Sequence, residues 1–227
     1  QYQPGTRFHY GVSTDVLGAL VEAVSGQTLG EFFSTRIFQP LQMNDTFFQV
    51  PAEKLPRFGT NHTFNPRSGQ LEVSDRPADS NFVNRQTFES GGGGLLSTAE
   101  DYMRFSQMVL NGGELDGERI IGKKTLEYMT QNHLPGIFGT NGQHDGSELP
   151  GFARGTGFGL GFAVVEDQTA AGGIGSDGEY YWGGAAGTIF WIDPVEELIG
   201  IVMIQHMNVR VPLRATFKAL AYGAITD

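Results

Sequence analysis

The feature that most constrains this chain is a change of character near residue 155. From there, Thr156–Val165, Glu179–Trp182, Thr188–Asp193 and Leu198–Met207 are aromatic and β-branched runs separated by turn residues. Runs of that length and composition predict strands, and turns this short predict an antiparallel meander. The tail, 211–225, spaces Leu213, Phe217, Leu220 and Ala221 at helical intervals, which predicts a last helix packed on that sheet.

Upstream the periodicity is helical. Val16, Leu17, Leu20, Val21 and Val24 fall on one stripe of a helix over 13–25 that Gly26 caps, and the stripe predicts burial. Thr28 and Glu31 have capping-box spacing, and the second helix they open runs through Leu29, Phe32, Phe33 and Ile37 until Pro40. Over 49–86 the pattern fades among Pro51, Pro56, Pro66 and Pro77, which predicts long loops with a short hairpin. Ser97 and Glu100 form another capping-box pair after the glycines of 90–94, opening a helix through Tyr102, Phe105, Met108 and Val109 that Asn111-Gly112-Gly113 stops. A fourth helix is expected over 123–131 and a loop over 133–154. The predicted organisation is therefore α/β in the α+β sense: a mainly helical lobe with long loops over 1–154, and an antiparallel sheet with a C-terminal helix over 155–227.

Composition narrows the function classes. The formal net charge of −10 repels phosphate backbones and anionic membrane surfaces, so neither nucleic acid nor membrane is expected as a partner. The longest apolar run, Leu198–Ile204, is far shorter than the roughly 20 residues of a membrane-spanning helix. No cysteine is present, which excludes disulfides, thiolate zinc sites and a cysteine nucleophile. His9, His62, His133, His144 and His206 lack metal-ligand spacing and read as structural or surface residues, so no metal is predicted. The glycines at 91–94 and at 155, 157, 159 and 161 match no phosphate-binding loop, so no cofactor is predicted. Tyr180, Tyr181 and Trp191 lie on alternating strand positions, and about half of them are expected in the core. The opening at Gln1, with neither an initiator Met nor a charged-then-apolar leader, reads as an interior cut, which leaves compartment undetermined.

Three segments, in order, resemble the penicillin-recognising serine hydrolases. PGTRFHYGVSTDVLGALVEAVSG resembles the segment with the Tyr-x-Asn motif of class C β-lactamases, DD-peptidases and family VIII carboxylesterases. SGGGGLLSTAEDYMRFSQMVLNGGEL resembles the helix-opening stretch after the family's active-site loop, and EYYWGGAAGTIFWIDPVEELIGIVMIQ the strand pair holding its Lys-Thr-Gly or His-x-Gly motif. The resemblance implies a β-lactamase/DD-peptidase-like fold whose N-terminal portion is missing. It implies that Tyr10 is the base taking a proton from a serine, and that the Ala185 N–H in Trp182-Gly183-Gly184-Ala185 is one of two oxyanion-hole donors. Without the resemblance, Tyr10 reads as an aromatic packed before a helix and Trp-Gly-Gly as a strand ending in a turn.

The departures point toward esters. Trp182 stands where β-lactamases and DD-peptidases have a Lys or His that helps bind a carboxylate, and it offers only a ring and one N–H donor. Val12 stands in place of the motif's amide. Both favour uncharged, partly apolar ester or acyl substrates. The family's Ser-x-x-Lys is absent: the residues three before Lys54, Lys123, Lys124 and Lys218 are Pro51, Ile120, Ile121 and Ala215. The expectation is thus part of a serine esterase whose nucleophile lies upstream, inactive on its own. The rivals are a non-catalytic binding module of the same fold, and a β-lactamase or DD-peptidase. The missing N-terminal segment, or a second copy of the chain, is expected at an open sheet edge.

Overall fold

The structure is a computed structural model that describes residues 3, 8–84, 88–138, 154–207, 209 and 211–226. Gln1, Gln86, His144 and most of the expected 133–154 loop lie outside the described residues.

Helix α1 (Ser13–Ser25) ends at Gly26, which takes the left-handed conformation at φ 71° and closes the helix with its N–H on Glu22 O. α2 (Leu29–Phe33) opens on the expected reciprocal box between Thr28 and Glu31, then widens into a π turn over Ser34–Phe38. A 3₁₀ turn (Ala52–Arg57) precedes the hairpin β1 (Asn61–Asn65) and β2 (Gln70–Asp75), followed by the single turn α3 (Asn81–Asn84). α4 (Ala99–Leu110) leads to the two-residue strands β3 (Glu114–Leu115) and β4 (Glu118–Arg119), and α5 (Lys123–Met129) closes this half. The cap of α4 sits one residue later than its spacing predicts. Thr98, not Ser97, accepts from the Asp101 N–H at 3.2 Å, because the Ser97 hydroxyl is drawn off to Thr46 Oγ1 at 2.8 Å.

The second half is the predicted meander. β5 (Thr156–Phe158), β6 (Ala163–Val165), β7 (Tyr180–Gly183), β8 (Ile189–Asp193) and β9 (Leu198–Val202) form an antiparallel sheet in sequence order. The helical turn α6 (Gln168–Ala171) bridges β6 and β7, and α7 (Leu213–Tyr222) follows. Two expected strands divide. Thr156–Val165 is a hairpin, turned where Gly159 N–H meets Phe162 O at 2.8 Å. Leu198–Met207 leaves the sheet after Val202, and β10 (His206–Met207) pairs in parallel with β1, His62 opposite His206.

Both faces of the sheet are covered, so its strands lack the polar alternation of a half-exposed sheet. On one face Val164, Tyr180, Phe190 and Ile192 join Met108 and Val109 of α4, Leu126 of α5, and Phe38 and Leu41 in one buried cluster. On the other face Ala163, Val165, Tyr181 and Trp191 pack with Phe138, and Ala221 and Tyr222 of α7 lie against them. Tyr180, Tyr181 and Trp191 are therefore all buried, where alternation alone would have exposed about half. Asp101 ties α4 to the segment after the π turn: its Oδ2 accepts the Asp45 N–H at 2.7 Å and the Thr46 hydroxyl at 2.8 Å.

The largest departure concerns α1. Its apolar stripe faces outward, with Val16 65%, Leu20 57% and Val24 80% exposed, and Gly18 is its only buried residue. The helix has the predicted bounds, and the predicted burial is absent.

Candidate active site

Two pieces of chain far apart in sequence meet at the end of β7. The first is the stretch before α1. Phe8 packs edge-on against Phe138 at 4.9 Å and Phe158 at 5.7 Å between ring centroids, which seats it on the α7 side of the sheet. Two residues on, the Tyr10 ring lies 6.0 Å from the Trp182 ring, tilted by 32°. Trp182 is also met edge-on by Phe158 at 5.4 Å. A row of aromatic rings thus carries Tyr10 to the tip of the central strand. Offset and edge-to-face ring pairs of this kind add roughly 0.5–1.5 kcal/mol each beyond the area they bury.

The second piece is the turn joining β7 to β8. Gly184 donates to Thr188 O at 2.8 Å, and Gly187 donates back to Gly184 O at 3.1 Å, closing a tight turn around Ala185 and Ala186. Gly187 has φ 83°, and a Cβ there would lie 2.5 Å from Ile204 Cγ1, so only glycine fits. Gly183, Gly184 and Ala185 are exposed. The Ala185 N–H has no hydrogen-bond partner among the described residues. The turn is braced from behind, because His206 N–H donates to Ala186 O at 3.0 Å. In turn His62 N–H donates to Gln205 O at 3.0 Å, so the β1–β2 hairpin is bonded to the turn through β10.

The arrangement offers a phenol, an indole and a free backbone donor at one exposed place. Tyr10 is 56% exposed and Trp182 half-buried. Tyr180, one residue before the Tyr181–Trp182 pair, is of a different kind: burial pushes its phenol well above the usual value, so it stays protonated in the core. Of the lysines, Lys54 is paired with Asp45, Lys124 with Glu127 at 2.5 Å and Lys218 with Glu179 at 2.6 Å. Arg57 and Lys54 together hold the Asp45 carboxyl below its usual range. Among the described residues no group of three or more His, Cys, Asp or Glu could hold a metal ion, and no helix is long and apolar enough to cross a membrane.

Two polar constellations escape a reading by motif. One is the carboxylate of Asp15 on the Ser90–Gly92 loop, where Oδ1 accepts the Ser90 hydroxyl at 2.5 Å and the Gly92 N–H at 3.1 Å. The other lies between the sheet and α7. Lys218 Nζ reaches both oxygens of the buried Glu179 at 2.7 and 2.6 Å, and the Tyr222 hydroxyl donates to the buried Asp193 at 2.7 Å. Burial raises the Glu179 carboxyl above its usual value even with the ammonium beside it. Sequence signals were few, since Lys218 lies off the Leu213, Phe217 and Leu220 stripe, of which Phe217 and Leu220 stay exposed, and Glu179 only leads an aromatic strand.

The relatives of this chain agree with the fold. "Protein Rv1367c" of Mycobacterium tuberculosis is 34% identical over 210 residues, covering 90% of this chain and 50% of its own length. "Lovastatin esterase" of Penicillium rubens is 31% identical over 238 residues, covering 96% of this chain and 56% of its own. Unliganded simvastatin synthase (LovD) from Aspergillus terreus superimposes with a TM-score of 0.82 at 22% identity, over 99% of this chain and 57% of that one. The chain spans about half the length of the curated relatives it matches. The sequence model of the family described as Beta-lactamase matches residues 1–223, and with a meander, flanking helices and neighbours of the same fold the chain belongs to that family.

Proposed function

We propose that the whole protein is a serine esterase working through an acyl-serine intermediate, in which this chain supplies the base, Tyr10, and one oxyanion donor, the Ala185 N–H. The observation that carries the reading is the meeting of Tyr10 with Trp182 beside an exposed, unpartnered backbone donor. In this scheme the phenolate of Tyr10 takes the proton of a serine hydroxyl contributed from outside this chain, and the serine oxygen bonds to the acyl carbon. The Ala185 N–H holds the resulting oxyanion. The alcohol leaves with the proton from Tyr10, and water repeats the sequence on the acyl-enzyme. A phenol with pKa near 10 needs a neighbouring cation to act as a base at neutral pH, and the lysine of a Ser-x-x-Lys segment would supply it.

The substrate class rests on the two positions that depart from the family's motifs. Trp182 and Val12 present apolar surface and no counter-charge, which suits an uncharged, partly apolar ester better than a carboxylate-bearing β-lactam or D-Ala-D-Ala peptide. Lovastatin esterase, by its name, acts on an ester. The outward stripe of α1 and the free edge of β9 support the view that a further segment completes the enzyme. Among the described residues no strand pairs with the outer edge of β9.

The test uses the full-length protein. A fluorophosphonate should label one serine outside this chain, and a short p-nitrophenyl ester should turn over faster than a chromogenic cephalosporin. Labelling of a serine within these 227 residues, or preference for the cephalosporin, would overturn the reading. Absence of any labelling, with ligand binding at the Trp182 turn, would establish instead a non-catalytic module of the same fold.

A further inference from the structure

We infer that Asp15 is a positioning residue for Tyr10, setting where the phenol stands by fixing the first turn of α1 onto the Ser90–Gly94 loop. The inference rests on the proposed role of Tyr10.

It begins with how little else holds α1. The residues turned toward the rest of the chain are Asp15, Gly18 and Glu22, with Val21 half-buried, while Val16, Leu17, Leu20 and Val24 point away. The helix start is also bare, because Val12 at its N-cap gives no side-chain hydrogen bond. Apolar packing therefore does not place the first turn of this helix. Asp15 does, by accepting the Ser90 hydroxyl and the Gly92 N–H on the same oxygen at 2.5 and 3.1 Å.

The loop that receives it is shaped for the purpose. A Cβ on Gly91 would lie 2.5 Å from Thr14 O, and one on Gly92 2.9 Å from Thr14 Oγ1, so only bare backbone lets the loop lie flat under the turn. The loop organises itself around the same serine. Ser90 Oγ accepts the Gly93 N–H at 3.2 Å, and Ser90 O accepts the Gly94 N–H at 2.9 Å. It is then tied into the rigid part of the fold at both ends. Glu89 accepts the Gly30 N–H of α2 at 2.6 Å, and Leu96 exchanges backbone hydrogen bonds with Phe47 at 3.1 and 2.9 Å before Thr98 caps α4. A continuous line of contacts thus runs from the buried core through Ser90 and Gly92 to Asp15. Tyr10 lies five residues before Asp15, held otherwise by ring contacts with Trp182 and by its neighbour Phe8.

A carboxylate in a helix's first turn also favours the helix itself, which is a purely structural role. The two roles separate experimentally. In the full-length protein, Asp15→Ala removes both acceptor contacts, and Asp15→Asn keeps an oxygen that can accept both. The positioning role predicts that Asp15→Ala lowers kcat on a p-nitrophenyl ester about 10-fold or more while KM stays within about twofold, a 1 Å misplacement being worth up to 10²-fold. Asp15→Asn should restore most of the kcat. If Asp15→Ala does not fold, Ser90→Ala removes one of the two donors and should lower kcat severalfold at unchanged KM. Tyr10→Phe is measured alongside. Loss of activity in Tyr10→Phe together with unchanged kcat in a folded Asp15→Ala, or in Ser90→Ala, would overturn this inference and leave the Tyr10 assignment standing. Full activity in Tyr10→Phe would overturn both. Equal losses in Asp15→Asn and Asp15→Ala would also refute it, since the acceptor geometry would then not matter.

Discussion

Replacing Lys218 by Met tests what the buried pair under α7 contributes. Glu179 is 1% exposed and Lys218 8%, so removing the ammonium strands a carboxylate in the protein interior. Breaking a buried pair by deleting one partner costs about 3–5 kcal/mol, because the remaining charge keeps its desolvation penalty. For a chain of this size that corresponds to a fall in Tm of roughly 6–20 °C. Glu179 retains the Gln168 amide at 3.5 Å, while the single Tyr222 proton goes to Asp193 at 2.7 Å, so little replaces the ammonium and the whole range applies. The pH dependence supplies a signature. Burial already raises the Glu179 carboxyl above its usual value, and loss of the ammonium raises it further. A carboxyl whose folded pKa is raised binds its proton more tightly in the folded state. Stability is therefore full below the usual carboxylate value and is lost as pH rises from there through the raised folded value. The deficit of Lys218→Met should then be largest near pH 8 and shrink toward pH 5, read by urea denaturation at each pH. Adding Glu179→Leu should recover most of it, since an apolar pair of similar volume is often as stable as the ion pair. A deficit under about 1 kcal/mol, or one independent of pH, would refute the reasoning and leave Lys218 as a hydrocarbon stem.

Tyr10→Phe in the full-length protein should lower kcat on esters by about 10²- to 10⁴-fold, the usual worth of a general base, and unchanged turnover would exclude that role. Gly200→Ala should cost about 1–3 kcal/mol by denaturant titration, because a Cβ there would enter the Trp191 ring directly across the strand pair. Val16→Ser and Leu20→Gln on α1 should each change the stability of this chain by less than about 0.5 kcal/mol, since both side chains are exposed, yet they should reduce binding of an apolar dye. A loss above 2 kcal/mol would show that the stripe is packed within the chain after all.

The meander was legible because aromatic and β-branched runs between turns leave few other folds, and the register follows once neighbouring strands pair in sequence order. Less legible was what lies on each face. Tyr180 and Tyr181 both vanish into packed clusters because α4 and α5 cover one side and α7 the other, a tertiary fact that period-2 alternation does not encode. The division of Leu198–Met207 was hidden for a similar reason. Met203–Gln205 have ordinary strand composition, and only the parallel pairing of His206 with His62, a partner 144 positions away, draws the chain out of the sheet. At the candidate site the sequence located Tyr10 and Trp182-Gly183-Gly184-Ala185 by resemblance. Their adjacency depends on Phe8 finding Phe138 and Phe158, a contact with no local signature.

Helix α1 shows how a sequence pattern and a chain can disagree without either being in error. Its stripe of Val16, Leu17, Leu20 and Val24 is what a core-facing helix requires, yet its inward residues are Asp15, Gly18 and Glu22, with Val21 alone of the stripe half-buried. Full burial of a Val or Leu is worth about 1.5–3 kcal/mol, so four such side chains left in water forgo a gain comparable with the whole stability of a domain. The polar residues are not idle. Glu22 accepts the Leu29 N–H at 3.0 Å at the start of α2, and Asp15 takes the glycine loop. The helix is thus bonded to this chain on its polar side and offers its apolar side elsewhere, as a helix shared between two packed layers does. The curated relatives are about twice as long, and the exposed stripe begins close to Tyr10 in sequence.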